Sequence, residues 1–260
     1  MQKENEREIM ETAMLAGEIL LENGAEIFRV EDTVKRICTH YGMHSGSTFV
    51  LTNGIFVTSG NAVEETFARV RQLPVRGANL DKVAAVNQLS REIVEGRYTV
   101  GEARDMLEEI KKRPGKSKKM LLFAAGMSAA CFCHMFGGNL TDSAAAFLAG
   151  VLVYLFILLV GDPWLSKIVT YVAGGAIVTL TCAFLSGLYA GSHMNEMIIG
   201  AMMPLVPGLA FTNGIRDLAN GDYLSGSVRL LDAMLVFLCI AVGAGLAIDL
   251  FNGMTGGALL

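Results

Sequence analysis

The sequence predicts an α+β soluble domain of order ααβββαα, followed by an all-α membrane bundle of five transmembrane helices. Three observations carry this expectation. Charge is split unevenly: residues 1–119 hold 18 of the 21 Lys+Arg and 18 of the 25 Asp+Glu, and the rest keeps only Lys167, Arg216 and Arg229 as bases. A stretch with period two, rich in β-branched and aromatic residues, interrupts helical patterning in the first part. The second part contains five apolar runs, each close to the roughly 20 residues that a spanning helix needs. With 52% hydrophobic and 18% charged residues, the chain as a whole is more apolar than a soluble protein. The organisation read from this is a soluble domain over 1–112, a basic linker over 113–119 and a membrane domain over 120–260.

In the soluble part, Ile9, Met10, Ala13, Ala16, Ile19 and Leu20 fall on one face of a helix between Glu6 and Glu22. Asn23-Gly24 ends it, because glycine takes the left-handed conformation cheaply. A second helix over Arg29–Tyr41 turns Val30, Val34, Ile37 and Cys38 inward and stops at Gly42. Thr48–Thr52 and Ile55–Ser59 read as strands joined by Asn53-Gly54, a strong hairpin signal. Glu65–Leu73 reads as a third strand, with Pro74 and Gly77 as punctuation. A third helix starts at Asn79 or Asp81 and runs through Glu95. Thr99 and Glu102 form a capping box for a fourth helix that ends near Lys112.

The five predicted spans are Met120–Phe136, Ser143–Val160, Ile168–Ala190, Met194–Asn213 and Leu230–Phe251. The basic run KKRPGKSKK (Lys111–Lys119) precedes the first of them, and such a cluster usually sets orientation. With that run in the cytoplasm, Lys167, Arg216 and Arg229 all fall on the same side. The predicted outer loops, Gly137–Asp142 and Gly191–His193, contain no Lys or Arg. The expected arrangement is a cytoplasmic N-terminus and soluble domain, with the C-terminal FNGMTGGALL outside. The charged residues Met1–Glu11 do not read as a signal peptide. Gly187 and Gly191, Gly174-Gly175, and Gly243 with Gly245 thin their helices for close packing within the bundle or against another chain.

Met194–Asp232 is the stretch that points to chemistry. Pro204 and Pro207 remove N–H donors from a span, which predicts freed carbonyls at Gly200 and Met203. Interrupted backbone at membrane depth is tolerated where it lines a cavity or is buried in protein. The candidate path residues are therefore Pro204, Pro207, Gly208, Asn213, Arg216, Asp217, Asp222, Arg229 and Asp232. Arg216 or Arg229 would hold a substrate carboxylate, and Asp232 is the best candidate for a buried carboxylate that carries a proton. The competing reading is a plain kink followed by a solvated loop.

Elsewhere the chemistry is thin. Glu26, Arg29, Glu31 and Asp32 cluster at the Gly24 turn, where helix capping competes with ligand binding. Cys38, His40 and His44, and Cys131 with Cys133 and His134, have the residue types of metal ligands but not the spacing, so no metal is expected. The five cysteines show no disulfide framework, and no phosphate loop or nucleophile elbow appears. No cofactor and no nucleic-acid partner are expected.

These residues resemble the threonine/serine exporter family. The resemblance is carried by PLVPG (Pro204–Gly208), NGIRD (Asn213–Asp217), GDYLSG (Gly221–Gly226) and Arg229, and by ENGAEIFRVEDTV (Glu22–Val34) and LDKVAAVNQLSREI (Leu80–Ile93) in the soluble part. It implies a bacterial inner-membrane exporter of small hydrophilic carboxylates, threonine and serine first, coupled to an ion gradient. One soluble domain with five spans resembles the larger subunit of the split, two-component form, which implies a second small membrane subunit. Split members are also linked to succinate. Membrane lipid and a homo-oligomer are further partner readings. A membrane-tethered enzyme, or a sensor or assembly subunit, is the alternative of another class.

Overall fold

A computed structural model describes residues 2–43, 47–59, 67–72 and 78–255. Along the chain run α1 (Gln2–Glu22), α2 (Ile27–His40), β1 (Thr48–Leu51), β2 (Gly54–Ser59), β3 (Phe67–Gln72), α3 (Leu80–Val94) and α4 (Val100–Lys112). Then follow α5 (Lys118–Met135), α6 (Leu140–Trp164), α7 (Lys167–Ser186), α8 (Met194–Met202), a 3-10 turn (Met203–Leu205), α9 (Gly208–Ala219) and α10 (Tyr223–Thr255). They form two compact units. The first is Met1–Gly115 with Gly208–Leu231, and the second is Lys116–Pro207 with Asp232–Leu260. His44, Pro74, Gly77 and the ends of the predicted third strand lie outside the described residues, as does the last part of FNGMTGGALL.

The first unit is built on α1 and α2. Ile9, Ala13, Ile19 and Leu20 of α1 meet Val30, Val34 and Ile37 of α2 in one buried core. Gly24, at φ +85°, makes the turn between them. The three strands form one antiparallel sheet in the order β1-β2-β3. Val50, Ile55 and Val57 turn to the helices and are buried, whereas Phe49, Phe56 and Val70, paired across the strands, face outward. Leu51 pairs with Gly54, so the hairpin turn is Thr52-Asn53 and Gly54 opens β2. The Asn53-Gly54 turn expected from the sequence does not form; no described residue other than glycine has the positive φ that it requires at Asn53. Thr99 and Glu102 make the capping box at α4.

The expected fold class, an α+β domain followed by five membrane helices, is not what the chain adopts. Helices dominate throughout, and β structure is limited to the small three-stranded sheet. Among the described residues only three helices are long and apolar enough to cross a membrane: α6 over Leu140–Val160, α7, and α10 over Tyr223–Gly253. Met194–Leu205 and Gly208–Ala219 add a fourth only if that broken pair is taken as one span. Two physical reasons account for the difference. α5 has 18 residues, and Lys118, Lys119 and His134 lower its hydropathy. The fourth predicted span breaks at Pro207, and α9 folds into the first unit.

In the second unit, α5, α6, α7 and α8 share a core of small and branched residues with Val236 and Ile240 of α10. Two glycines set the distance between α7 and α10. A Cβ at Gly175 would overlap the Ile240 carbonyl oxygen, and one at Gly243 would overlap that of Val172. Gly187 and Gly191 make no such contact: Gly187 is near only its own helix, and Gly191 has nothing within 4 Å. At one end of this unit, Lys167 donates to both carboxylate oxygens of Asp232 at 2.5 and 2.6 Å. At the other end, the α5–α6 loop meets the α7–α8 turn, where Asn139 Nδ2 reaches the Gly191 carbonyl at 3.5 Å.

Candidate functional site

The two polar clusters singled out in the sequence come together in the first unit, although about 190 residues separate them. The cause lies in the α1–α2 turn. A helix start leaves N–H donors without intrahelical partners. Glu26 is the N-cap of α2, but its side chain makes no cap hydrogen bond. Asp217 of α9 supplies the acceptor instead: Ile27 N–H donates to Asp217 Oδ1 at 3.1 Å. The turn's carbonyls are served from the same segment. Asn213 Nδ2 donates to the Gly24 oxygen at 2.8 Å, and Arg229 Nη2 donates to the Ala25 oxygen at 2.9 Å.

Charges complete the lock. Arg229 Nη1 stands 3.2 Å from Asp217 Oδ2, an ion pair that is off the hydrogen-bond direction. Asp217 is 0% exposed and Arg229 is 9% exposed, so this pair is buried. Glu26 takes a hydrogen bond from Arg216 and another, at 2.9 Å, from Arg29. Arg216 itself is mostly exposed. Gly214 and Gly226 allow α9 and α10 to cross closely, since a Cβ at either would crowd the facing backbone.

Two acids nearby shift in opposite directions. Burial alone would raise the Glu26 carboxyl, but hydrogen bonds and charge from Arg216 and Arg29 outweigh it and hold it below the ordinary range. Burial raises Glu31; the Val50 N–H that it accepts at 3.0 Å partly offsets this, and the Asp222 carboxylate adds to it. Glu26 therefore stabilises the fold at pH values above the ordinary glutamate range, and its contribution disappears as pH falls through its depressed value. Acid unfolding followed by circular dichroism should show a shallower acid limb for Glu26→Gln than for the natural chain.

Not every predicted residue joins this site. Asp32 pairs with Arg36 on the exposed side of α2. Asp222 caps nothing with its side chain, but its N–H closes the α9 end on the Asp217 carbonyl at 2.9 Å. Asp232 is not the buried carboxylate expected of it: it is 42% exposed and bound to Lys167 in the second unit. The carbonyls expected to be freed by the prolines are also satisfied. Met203 N–H reaches the Gly200 oxygen, and Val206 N–H reaches the Met203 oxygen at 3.2 Å, because a 3-10 turn replaces the lost bonds. Gly208, which opens α9, has open space around it. Burial pushes the Cys38 thiol up to about 12, far from the thiolate that metals bind. No described group of three or more His, Cys, Asp or Glu is placed to hold a metal ion.

The residues of this lock include the NGIRD and GDYLSG motifs and the GAE turn. A family sequence profile described as "Putative threonine/serine exporter" matches residues 11–251. The chain belongs to the threonine/serine exporter family. It is 24% identical over 255 residues to the "Threonine/serine exporter" of Corynebacterium glutamicum, covering 93% of this chain but 51% of that one. It is 23% identical over 258 residues to the "Probable succinate transporter subunit YjjP" of Escherichia coli K12, covering 97% of this chain and 98% of that one. A yeast relative, the "Pheromone-regulated membrane protein 10" of Debaryomyces hansenii, is 24% identical over 242 residues, 91% of this chain and 24% of its own. The chain thus spans about half the length of the Corynebacterium exporter and nearly all of the Escherichia subunit. No solved structure matches it. Membership makes it a multi-pass membrane protein of a transport family, consistent with its apolar helices.

Sequence reasoning placed both halves of the lock but missed that they bind each other. It also missed the acceptors, which are backbone carbonyls of the Gly24 turn. The missing cap at α2 was the available signal: a helix start with a glutamate in the cap position has unserved donors. Asp142, Tyr189 and His193 of the second unit were missed as well.

Proposed function

We propose that this chain is the larger membrane subunit of a two-component exporter of small hydrophilic carboxylates, threonine and serine first. The observation that carries this is the match, over 97% of this chain and 98% of the other, to a protein named as a transporter subunit. In this reading the chain works together with a second small membrane subunit and sits in the bacterial inner membrane. Residues 1–112 face the cytoplasm behind the basic linker 113–119, as the placement of Lys and Arg favours.

In this reading the lock at the α1–α2 turn takes part in substrate loading. Arg216 is exposed and already holds a carboxylate, that of Glu26. A substrate carboxylate of similar geometry would compete for the same guanidinium. Asn213, Asp217, Asp222 and Arg229 fix the segment that presents Arg216. Pro204, Pro207 and Gly208 provide the break from which that segment starts. A dicarboxylate is the second reading of the substrate, favoured by the name of the Escherichia relative.

Cells lacking this gene and its partner, then supplied with both, would be loaded with labelled threonine, serine and succinate. Efflux should rise several-fold for one of these and fall again in Arg216→Ala and Asp217→Asn, with membrane levels unchanged. Efflux of all three unaffected by the gene would sink the proposal; wild-type efflux in both variants would reduce the lock to a structural role.

A further inference from the structure

The second unit contains a carboxylate that the lock does not use. Asp142, in the first turn of α6, is 0% exposed yet accepts from four donors. One is local: Asn139 N–H donates to Oδ2 at 2.9 Å as half of a capping box. The other three come from the α7–α8 turn. Tyr189 Oη donates to Oδ1 at 2.7 Å, His193 N–H donates to Oδ1 at 3.2 Å, and His193 Nδ1 lies 2.8 Å from Oδ2. A capping box needs only the first. The remaining three tie two chain reversals together at one end of the unit.

The two sides of this arrangement differ in exposure. The His193 side chain is 52% exposed while its partner is buried. Histidine is the side chain that changes charge between about pH 5 and 8. A neutral ring can hold Asp142 by one hydrogen bond, whereas a protonated ring adds the Coulomb attraction of an ion pair to that bond. The other titratable groups around the cluster are the Cys133 thiol of α5, the Cys182 thiol of α7 and Glu196 in the first turn of α8. His134 of α5 is turned to the Gly138 carbonyl at 3.1 Å rather than to Asp142. Asp249 of α10 is exposed.

We infer that Asp142, Tyr189 and His193 form a proton-sensitive latch that closes this end of the membrane unit, tight when His193 is protonated and looser when it is neutral. The inference rests on this geometry and not on which solute is exported. A transport unit must open at both ends in turn, and a clamp between two loops is where one end can open without breaking a helix.

A native reporter lies beneath the latch. Cys133 is fully buried, and the α5–α6 loop covers it so closely that a Cβ at Gly138 would stand 2.6 Å from its sulfur. The full-length chain in lipid nanodiscs would be treated with a water-soluble maleimide at about pH 5.5 and about pH 8, and Cys133 labelling read by peptide mass spectrometry. Thiol chemistry itself depends on pH, so the readout is the ratio of the natural chain to His193→Gln at each pH. That ratio should be about tenfold lower at the acid pH and near one at the alkaline pH. His134→Gln should behave like the natural chain, and Asp142→Asn should expose Cys133 at both pH values. A ratio that does not change with pH, a pH dependence that follows His134 instead, or a Cys133 unlabelled in every variant would each overturn the latch. His193→Gln changes a half-exposed ring, so the test survives even if Asp142→Asn does not fold.

Discussion

Arg229→Leu lowers the stability of the first unit by about 3–5 kcal/mol, the usual cost of leaving a buried charge without its partner. Asp217 would remain 0% exposed, with only Ile27 N–H to offset its charge. The Ala25 carbonyl would lose its donor at the same time. The double variant Asp217→Leu/Arg229→Leu should recover part of this loss, because no charge is then stranded. It should not recover all of it, since the α2 start again lacks a cap. Asp217→Leu should cost about as much as Arg229→Leu, since it strands the buried Arg229 charge and leaves the Ile27 N–H without its acceptor. Thermal unfolding of the purified chain in detergent, compared across the four proteins, gives the coupling. A loss below about 1 kcal/mol for Arg229→Leu would mean that the pair is solvated.

Gly243→Ala should be as damaging, for a different reason. The added methyl would overlap the Val172 carbonyl, and both sides of that contact are helix backbone. No side chain can rotate away, so α7 and α10 must separate along their length. Overpacking costs about 1–3 kcal/mol where side chains can adjust, and more is expected here. Gly245→Ala is the control, with nothing within 4 Å of the added atom. Size-exclusion profiles and thermal midpoints should separate the two: Gly245→Ala close to the natural chain, Gly243→Ala aggregated or strongly destabilised. Equal behaviour would show that the helices already sit far enough apart to take a methyl.

Local patterns were legible in the sequence wherever one face decided the matter. Ile9, Ala13, Ile19 and Leu20 mark the buried side of α1, and the Thr99–Glu102 spacing marks the start of α4. Composition went astray where length and partner mattered. α9 passes as part of a span only together with Met194–Leu205, and its Asn213 and Asp217 are buried on donors and acceptors of the first unit. Hydropathy counts side chains one by one and cannot register that a distant turn will satisfy them. The same blindness hid Asp142, which looks like an ordinary helix cap until Tyr189 and His193 arrive from about 50 residues away. The proline pair misled in the opposite direction, because a 3-10 turn repairs the backbone locally.

The cap of α2 by Asp217 also sets a clock on biosynthesis. Ile27 leaves the ribosome 190 residues ahead of the carboxylate that completes its helix. At about 5–20 residues per second, that interval is on the order of ten to forty seconds. During it the N-terminal helices and sheet exist with an open helix end and unsatisfied turn carbonyls, while α6 and α7 are being delivered to the membrane. The N-terminal unit therefore matures last, although it is made first, and a chain truncated before Asn213 would strand it in that unfinished state.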